Sequence, residues 1–284
     1  MDHGMPKHTP FLYGRRTCIF CTGHPPDVKI TNEHVFADWL RELFPRDSGT
    51  THTHGVIVWP TSAGAPQVDP SVWLNPRGHG HSGSKKVRAV CRTCNSEWLS
   101  NRVEEVAKPI LIPMIAGRSC ALNRDMQHRL ATWAVKTVMT AEHVNKGKSV
   151  IQQSERTWLK DNLTPPAGWF VWAAPYSGAN WRDLGIFQHS GKLEIPDIAS
   201  DTLAHHNLGL TFMGLGRLFF LVRHSTWPSL WDVLASPISH VHRLWPPSSD
   251  VIDWPSPYVF SDREAEYFTT YLARVLCQPV KVEQ

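Results

Sequence analysis

The chain has 284 residues, enough for one large domain or two ordinary ones, and 42% of them are hydrophobic, which excludes wholesale disorder. Its formal net charge of +4 is a mild basic bias, compatible with a polyanionic partner but no argument for one by itself. No apolar run marks a signal peptide, and the most apolar stretch, Leu208 to Val222, is cut by glycines and Arg217 and is too short to span a bilayer.

Residues 1–14 carry Gly, Pro and His without periodicity and read as a loose leader. Cys18 to Cys21, followed by Thr22-Gly23, has the spacing of a metal knuckle, a tight turn between two short strands. Val28 to Ile30 lead into Thr31-Asn32-Glu33-His34, and Val35 to Phe44 then show a helical apolar spacing that Pro45 ends. From Arg46 to Ser84 the chain turns rich in Gly, Pro, Ser, Thr and His, with one strand expected at Val56 to Trp59. Lys85 to Val90 alternate as a short strand that delivers Cys91, and a helix is expected from about Asn95 to Ala107, stopped by Pro109.

A boundary is placed near 109–123, where Pro109, Pro113 and Gly117 break the pattern. Asn123 or Asp125 caps the next helix, which runs to about Asn145 with Met126, Leu130, Trp133, Ala134 and Val138 on one face. A short helix follows at Glu155–Asn162, then strands at Trp169–Ala174, Leu184–His189, Leu208–Met213 and Leu218–Val222, the last two joined by a hairpin turn at Gly214-Leu215-Gly216-Arg217. Trp227–Leu234 and Ala265–Val275 look helical. Thirteen tryptophans exceed ordinary usage; most are expected to pack the core, with base stacking as the alternative.

The absence of a signal or span points to a cytoplasmic, reducing compartment, with no membrane partner. There the two Cys-x-x-Cys pairs, Cys18/Cys21 and Cys91/Cys94, read as metal ligands rather than disulfides. Four thiols in two such pairs suit one tetrahedral Zn²⁺. Other residue types between and beside them suit phosphodiester hydrolysis, which needs a base, a hard cation and a cationic surface. His34 suits the base because its ordinary pKa lies near neutrality. Glu33 offers a carboxylate and Asn95 a carbonyl oxygen, ligands that suit Mg²⁺ or Mn²⁺ rather than zinc. Arg77, Lys85, Lys86, Arg88 and Arg92 form a run without an acid that could follow a phosphate backbone. Each has a plainer reading: Asn95 as an ordinary helix cap, the basic run as a solvated face. The pairs His52-x-His54 and His79-x-His81 are either metal ligands or exposed loop residues.

Taken together, Cys-x-x-Cys, Glu33-His34-Val35 and Val90-Cys91-x-x-Cys94-Asn95-x-x-Trp98 resemble the HNH endonucleases, the zinc-knuckle branch of the ββα-metal nucleases, over about residues 15–107. The resemblance implies a structural zinc on Cys18, Cys21, Cys91 and Cys94, His34 as general base, and a catalytic Mg²⁺ or Mn²⁺ on Glu33 and Asn95. It also implies in-line attack of a His34-activated water on the phosphodiester. Two departures stand out. Where the family carries an asparagine that orients the base, about five positions before the third cysteine, this chain has Lys86, so either another residue (Asn75 is one candidate) supplies that support or the activity is altered. The interval from His34 to Cys91 is also longer than the family's.

The expected architecture is α+β: a leader at 1–14, an N-terminal treble-clef nuclease domain at 15–108 with an insertion at 46–84, and a C-terminal α+β domain at 109–284 that recognises a target or partner. The expected function is DNA endonuclease, suited to restriction or anti-phage defence by analogy. RNA cleavage and a non-catalytic zinc module that binds nucleic acid or protein are the rivals. The oligomeric state, a homodimer included, is left open.

Overall fold

The structure is a computed structural model, and it describes residues 17–45, 83, 85–144, 150–191, 208–228, 231–236, 238 and 241–272. The leader, the strand expected at Val56–Trp59, Arg77, Asn75 and the histidines at 52, 54, 79 and 81 lie outside the described residues, as do residues 273–275 of the last expected helix.

Within that range the protein mixes helix and antiparallel sheet. The chain enters through a tight turn in which Cys18 N donates to Gly23 O at 2.8 Å and Thr22 N to Cys18 O at 2.9 Å. No strand flanks this turn among the described residues; Ile19 N instead donates to Ala89 O at 2.9 Å and docks it on β2. β1 (Ile30–His34) precedes α1 (Leu40–Leu43). The helix expected over Val35 to Phe44 therefore forms only at its end. Val35, Phe36, Ala37, Trp39, Leu40 and Phe44 are all buried, so the apolar spacing reported burial. Their backbone runs as bends and turns, with Leu40 N to Ala37 O and Arg41 N to Asp38 O closing three-residue steps.

β2 (Lys86–Cys91) pairs antiparallel with β1, setting Ile30 opposite Cys91, Asn32 opposite Arg88, Glu33 opposite Val87 and His34 opposite Lys86. The register shifts between Thr31 and Asn32. From Cys94 the chain is helical without a break to Ile115, first with wide π-helical winding (Cys94–Glu104) and then as α2 (Glu105–Ile115). Pro109 and Pro113 lie inside α2 and do not end it, contrary to expectation. An interior proline costs about 3 kcal/mol of helix stability, and burial of Ala107, Ile110, Leu111, Met114 and Ile115 outweighs that local penalty.

β3 (Cys120–Asn123), which has no sequence signal, pairs with β9 (Val251–Trp254). α3 (Arg124–Ala141) is capped by Asn123, whose Oδ1 accepts from Met126 N at 2.9 Å. α4 (Gln153–Asn162) leads to the main sheet of β4 (Trp169–Pro175), β5 (Gly185–Gly191), β6 (Leu208–Leu215), β7 (Leu218–His224) and β8 (His242–Trp245), ordered β5-β6-β7-β4-β8. Between β7 and β8 the helix expected at Trp227–Leu234 appears as α5 (Trp231–Ala235), and α6 (Asp262–Glu266) continues as a wide turn to Leu272.

β4, β6 and β7 are buried along their whole length, which explains runs that are apolar rather than alternating. One face of the sheet packs on α3, with Trp133 against Phe220 at 6.0 Å. The other face holds a second cluster of Phe170, Trp172, Phe212, Phe219 and Phe260. The first cluster also takes in Cys18, Phe20, Trp98 and Leu111, so one core runs on either side of residue 109. No helix among the described residues is long and apolar enough to cross a membrane.

Candidate functional site

The turn at Cys18–Cys21 and the junction of β2 with the long helix each present two thiols, and the β1–β2 pairing brings them together. The Sγ atoms of Cys18, Cys21, Cys91 and Cys94 lie within 4.8 Å of one another, and among the described residues they are the one such group of three or more His, Cys, Asp or Glu ligands. Cys94 N donates to Cys91 Sγ at 3.4 Å, which fixes the second pair at the helix start. Packed this closely, the thiols compete for negative charge. The Cys94 thiol, donating to Cys18, holds the Cys18 thiol well down, at about 4. Burial pushes Cys91 up to about 11, and Cys94 is raised by the same bond to Cys18. A divalent cation would relieve that conflict by stabilising all four thiolates. The donor set and its spacing fit a tetrahedral metal such as zinc. Trp98 packs edge-on against Phe20 at 4.9 Å and locks the helix to the turn.

Asn95 follows the last thiol and reaches back to β1, with Nδ2 donating to Thr31 Oγ1 at 3.2 Å and to Asn32 O at 3.3 Å. It clamps the irregular step in β1, leaving the carbonyl oxygen for other work. Strand alternation then separates the neighbouring pair beyond it: Glu33 and His34 point to opposite faces.

His34 takes the other face and is half-buried, with Nε2 itself out of reach of solvent. Directly opposed residues of an antiparallel pair share a face, so His34 stands with Lys86, and Asn32 with the exposed Arg88, on one side of the hairpin. His34 Nε2 lies 3.2 Å from Asp38 Oδ1, although the angle falls outside hydrogen-bond geometry. Asp38 in turn accepts from Arg41 Nη1 at 2.9 Å. Burial holds the imidazole below its ordinary pKa, helped by Lys86 and Arg41 and opposed by Asp38. An imidazole so held is neutral near pH 7 and able to accept a proton. Lys85 is half-buried, whereas Lys86, Arg88 and Arg92 are exposed.

Glu33 faces inward and is 4% exposed. Its Oε1 accepts from Lys136 Nζ of α3 at 3.3 Å, and the same ammonium donates to Glu104 Oε1. Burial alone would lower Lys136, but the Glu104 and Glu33 carboxylates outweigh it and hold the ammonium above its ordinary value. Burial raises the Glu33 carboxyl against the opposing charge of Lys136. A carboxylate turned into the core and already neutralised by an ammonium does not fit a divalent ion shared with Asn95. Lys136, Glu104 and Asp38 had no motif to announce them. The one available signal was a lysine, three residues after Trp133, on the apolar stripe of α3.

Compared with known proteins, no family model matches the chain, and no curated protein and no solved structure matches it.

Proposed function

We propose that this protein is a phosphodiester hydrolase, an endonuclease of HNH type acting on DNA, with a treble-clef zinc scaffold as the back wall of its site. One observation carries this reading. Convergence of the four thiols puts Asn95, at the helix start, against the strand that presents His34 beside Lys86. In the proposed reaction Lys86 and Arg88 neutralise the phosphate backbone. His34 takes a proton from a water that attacks phosphorus in line; the P–O3′ bond opposite breaks, and the leaving 3′ oxygen takes up a proton from solvent. Asp38, whose Oδ1 is 3.2 Å from His34 Nε2 without a formed hydrogen bond, is the acidic neighbour that would orient the imidazole after a small turn of the ring, the role that Lys86 is unable to fill in place of an asparagine. The resemblance implies Mg²⁺ or Mn²⁺ on Glu33 and Asn95. Glu33 does not fit that role in its pairing with Lys136. The β-rich remainder, 109–284, would select the target, which suits restriction or anti-phage defence.

A second reading has its own support. Lys136 on Glu33 and Lys86 opposite His34 are what a module that binds nucleic acid without cutting it would retain. Incubating the purified protein with supercoiled plasmid and structured RNA, with and without Mg²⁺ or Mn²⁺, separates the two. Nicking that disappears in His34→Ala at unchanged zinc content supports the hydrolase. Equal inactivity of both proteins on every substrate and metal, with retention of nucleic acid, supports the binding module.

A further inference from the structure

We infer that Lys136 is a positioning residue of the His34 site, a buried register lock that turns Glu33 inward and so presents His34 outward. Lys136 is fully buried and cannot itself meet a substrate. What it touches are Glu33 on β1 and Glu104 on the helix after β2, so one ammonium joins three elements at one point. The need for such a lock comes from the way β1 pairs with β2. A strand's side chains alternate, so a slip of one residue would exchange the faces of Glu33 and His34. Opposite the step from Thr31 to Asn32, immediately before that pair, β2 carries one residue too many: Thr31 faces Val90 and Asn32 faces Arg88, which leaves Ala89 as the bulged residue that a slip would take up or give back. Beyond the shift Asn32, Glu33 and His34 pair with β2, and Val35 N donates to Lys85 O at 2.9 Å as the last rung. Backbone bonds from Ile19 N to Ala89 O and from Val35 N to Lys85 O flank the shift, and two side chains reach it from outside the hairpin. Asn95 clamps its backbone side through Asn32 O. Lys136 clamps its far side through the Glu33 carboxylate.

Electrostatics makes the lock selective. In the slipped register His34 would face Glu104 and the ammonium in the core, and Glu33 would sit among Lys86 and Arg88 at the surface. The buried ammonium would then keep one carboxylate instead of two, and a buried cation short of its partners is strongly disfavoured. Specifying register is the best-attested use of buried polar groups. Because Lys136 belongs to α3, beyond residue 109, the hairpin site is not self-sufficient. It takes its geometry from the C-terminal part of the chain.

The lock concerns the fold around His34; only its catalytic consequence rests on the hydrolase reading. Four variants of the full chain test it: Lys136→Met, Glu33→Gln, the double variant, and Leu130→Ala as a control of comparable cost elsewhere on α3. Each single triad variant should lower Tm by roughly 10 °C, and the double should recover part of the loss of Lys136→Met, because it removes one of the two carboxylates left without their ammonium. In zinc-loaded protein the ring signals of His34, read by proton–nitrogen NMR, should shift or split in Lys136→Met and Glu33→Gln but not in Leu130→Ala. Unaltered His34 signals in either triad variant would overturn the inference. So would a double variant no more stable than Lys136→Met, including one that fails to fold. Wild-type protein that shifts these signals as expected but never nicks a plasmid would sink the hydrolase reading and leave the lock standing.

Discussion

Cys21 Sγ lies 3.6 Å from Cys91 Sγ, although 70 residues separate them in the sequence. A contact of that range between two chelating pairs would make a metal held there a cross-link between distant parts of the chain. Structural zinc contributes on the order of 10–16 kcal/mol in small zinc-binding peptides, so Cys91→Ser should cost folding and not merely a metal. Metal analysis should find one zinc per wild-type chain. The variant should lose it together with the near-ultraviolet circular dichroism of Trp98. A zinc-free Cys91→Ser protein with a wild-type spectrum would contradict this.

Lys86 and Arg88 stand on the exposed face that carries His34. If that face follows a phosphate backbone, Lys86→Ala and Arg88→Ala should each weaken DNA binding to a similar degree on every sequence. Each should reduce the slope of log K against log salt by about 1. Fluorescence anisotropy across a salt series reads this directly. Slopes identical to wild type would mark both residues as a solvated face.

Glu155 couples stability to pH. Burial pushes its carboxyl up to about 7 from the ordinary 4.5, against hydrogen bonds donated by Gln152 N at 2.7 Å and Trp169 Nε1 at 2.7 Å. The folded state therefore binds this proton more tightly than the unfolded state. The resulting stability is present in full below about 4.5 and is lost as pH rises through about 7. A shift of that size corresponds to about 3 kcal/mol. Glu155→Gln lacks the titration, so its stability relative to wild type should improve between pH 5 and pH 8. Urea unfolding at the two pH values measures the difference, and an equal gap at both would refute it. Buried His143 and His224, both held down to about 3 mainly by burial, act oppositely on both proteins and cancel in the comparison.

His224 is also the reason Gly209 has no side chain. The imidazole stacks flat on Trp169, with centroids 4.1 Å apart and 7° between planes, and lies over the strand position of Gly209. A Cβ there would fall 1.9 Å from His224 Nε2. Gly209→Ala should cost about 1–3 kcal/mol as an overpacked core. The cost should shrink in a His224→Ala background, because the obstructing ring is gone. Additive losses in thermal melts would show that the clash is not with His224.

Much of this architecture was legible locally. Asn123 announces itself as a cap because a short polar side chain before an amphipathic run has one common use there. The β6–β7 hairpin was readable from two apolar runs around a turn in which Gly216 takes φ +61°. Where local signals failed, packing had overruled them. Pro109 and Pro113 read as a helix end, yet the helix continues because its buried face is worth more than two missing donors. The residues from Val35 to Phe44 carry a helical apolar period, yet bends satisfy the same burial.

The division is sharpest at the hairpin. The sequence by itself determined that two chelating cysteine pairs exist and that Glu33, His34 and Asn95 lie near them in order, because chelation from a tight turn needs only neighbours along the chain. Only the tertiary structure decided that Glu33 and His34 do different work. One faces Lys136, 103 residues away, and the other faces Lys86 at the surface. A strand's alternation says that two neighbours must part, but which of them turns inward depends on where a distant helix sets its one buried cation.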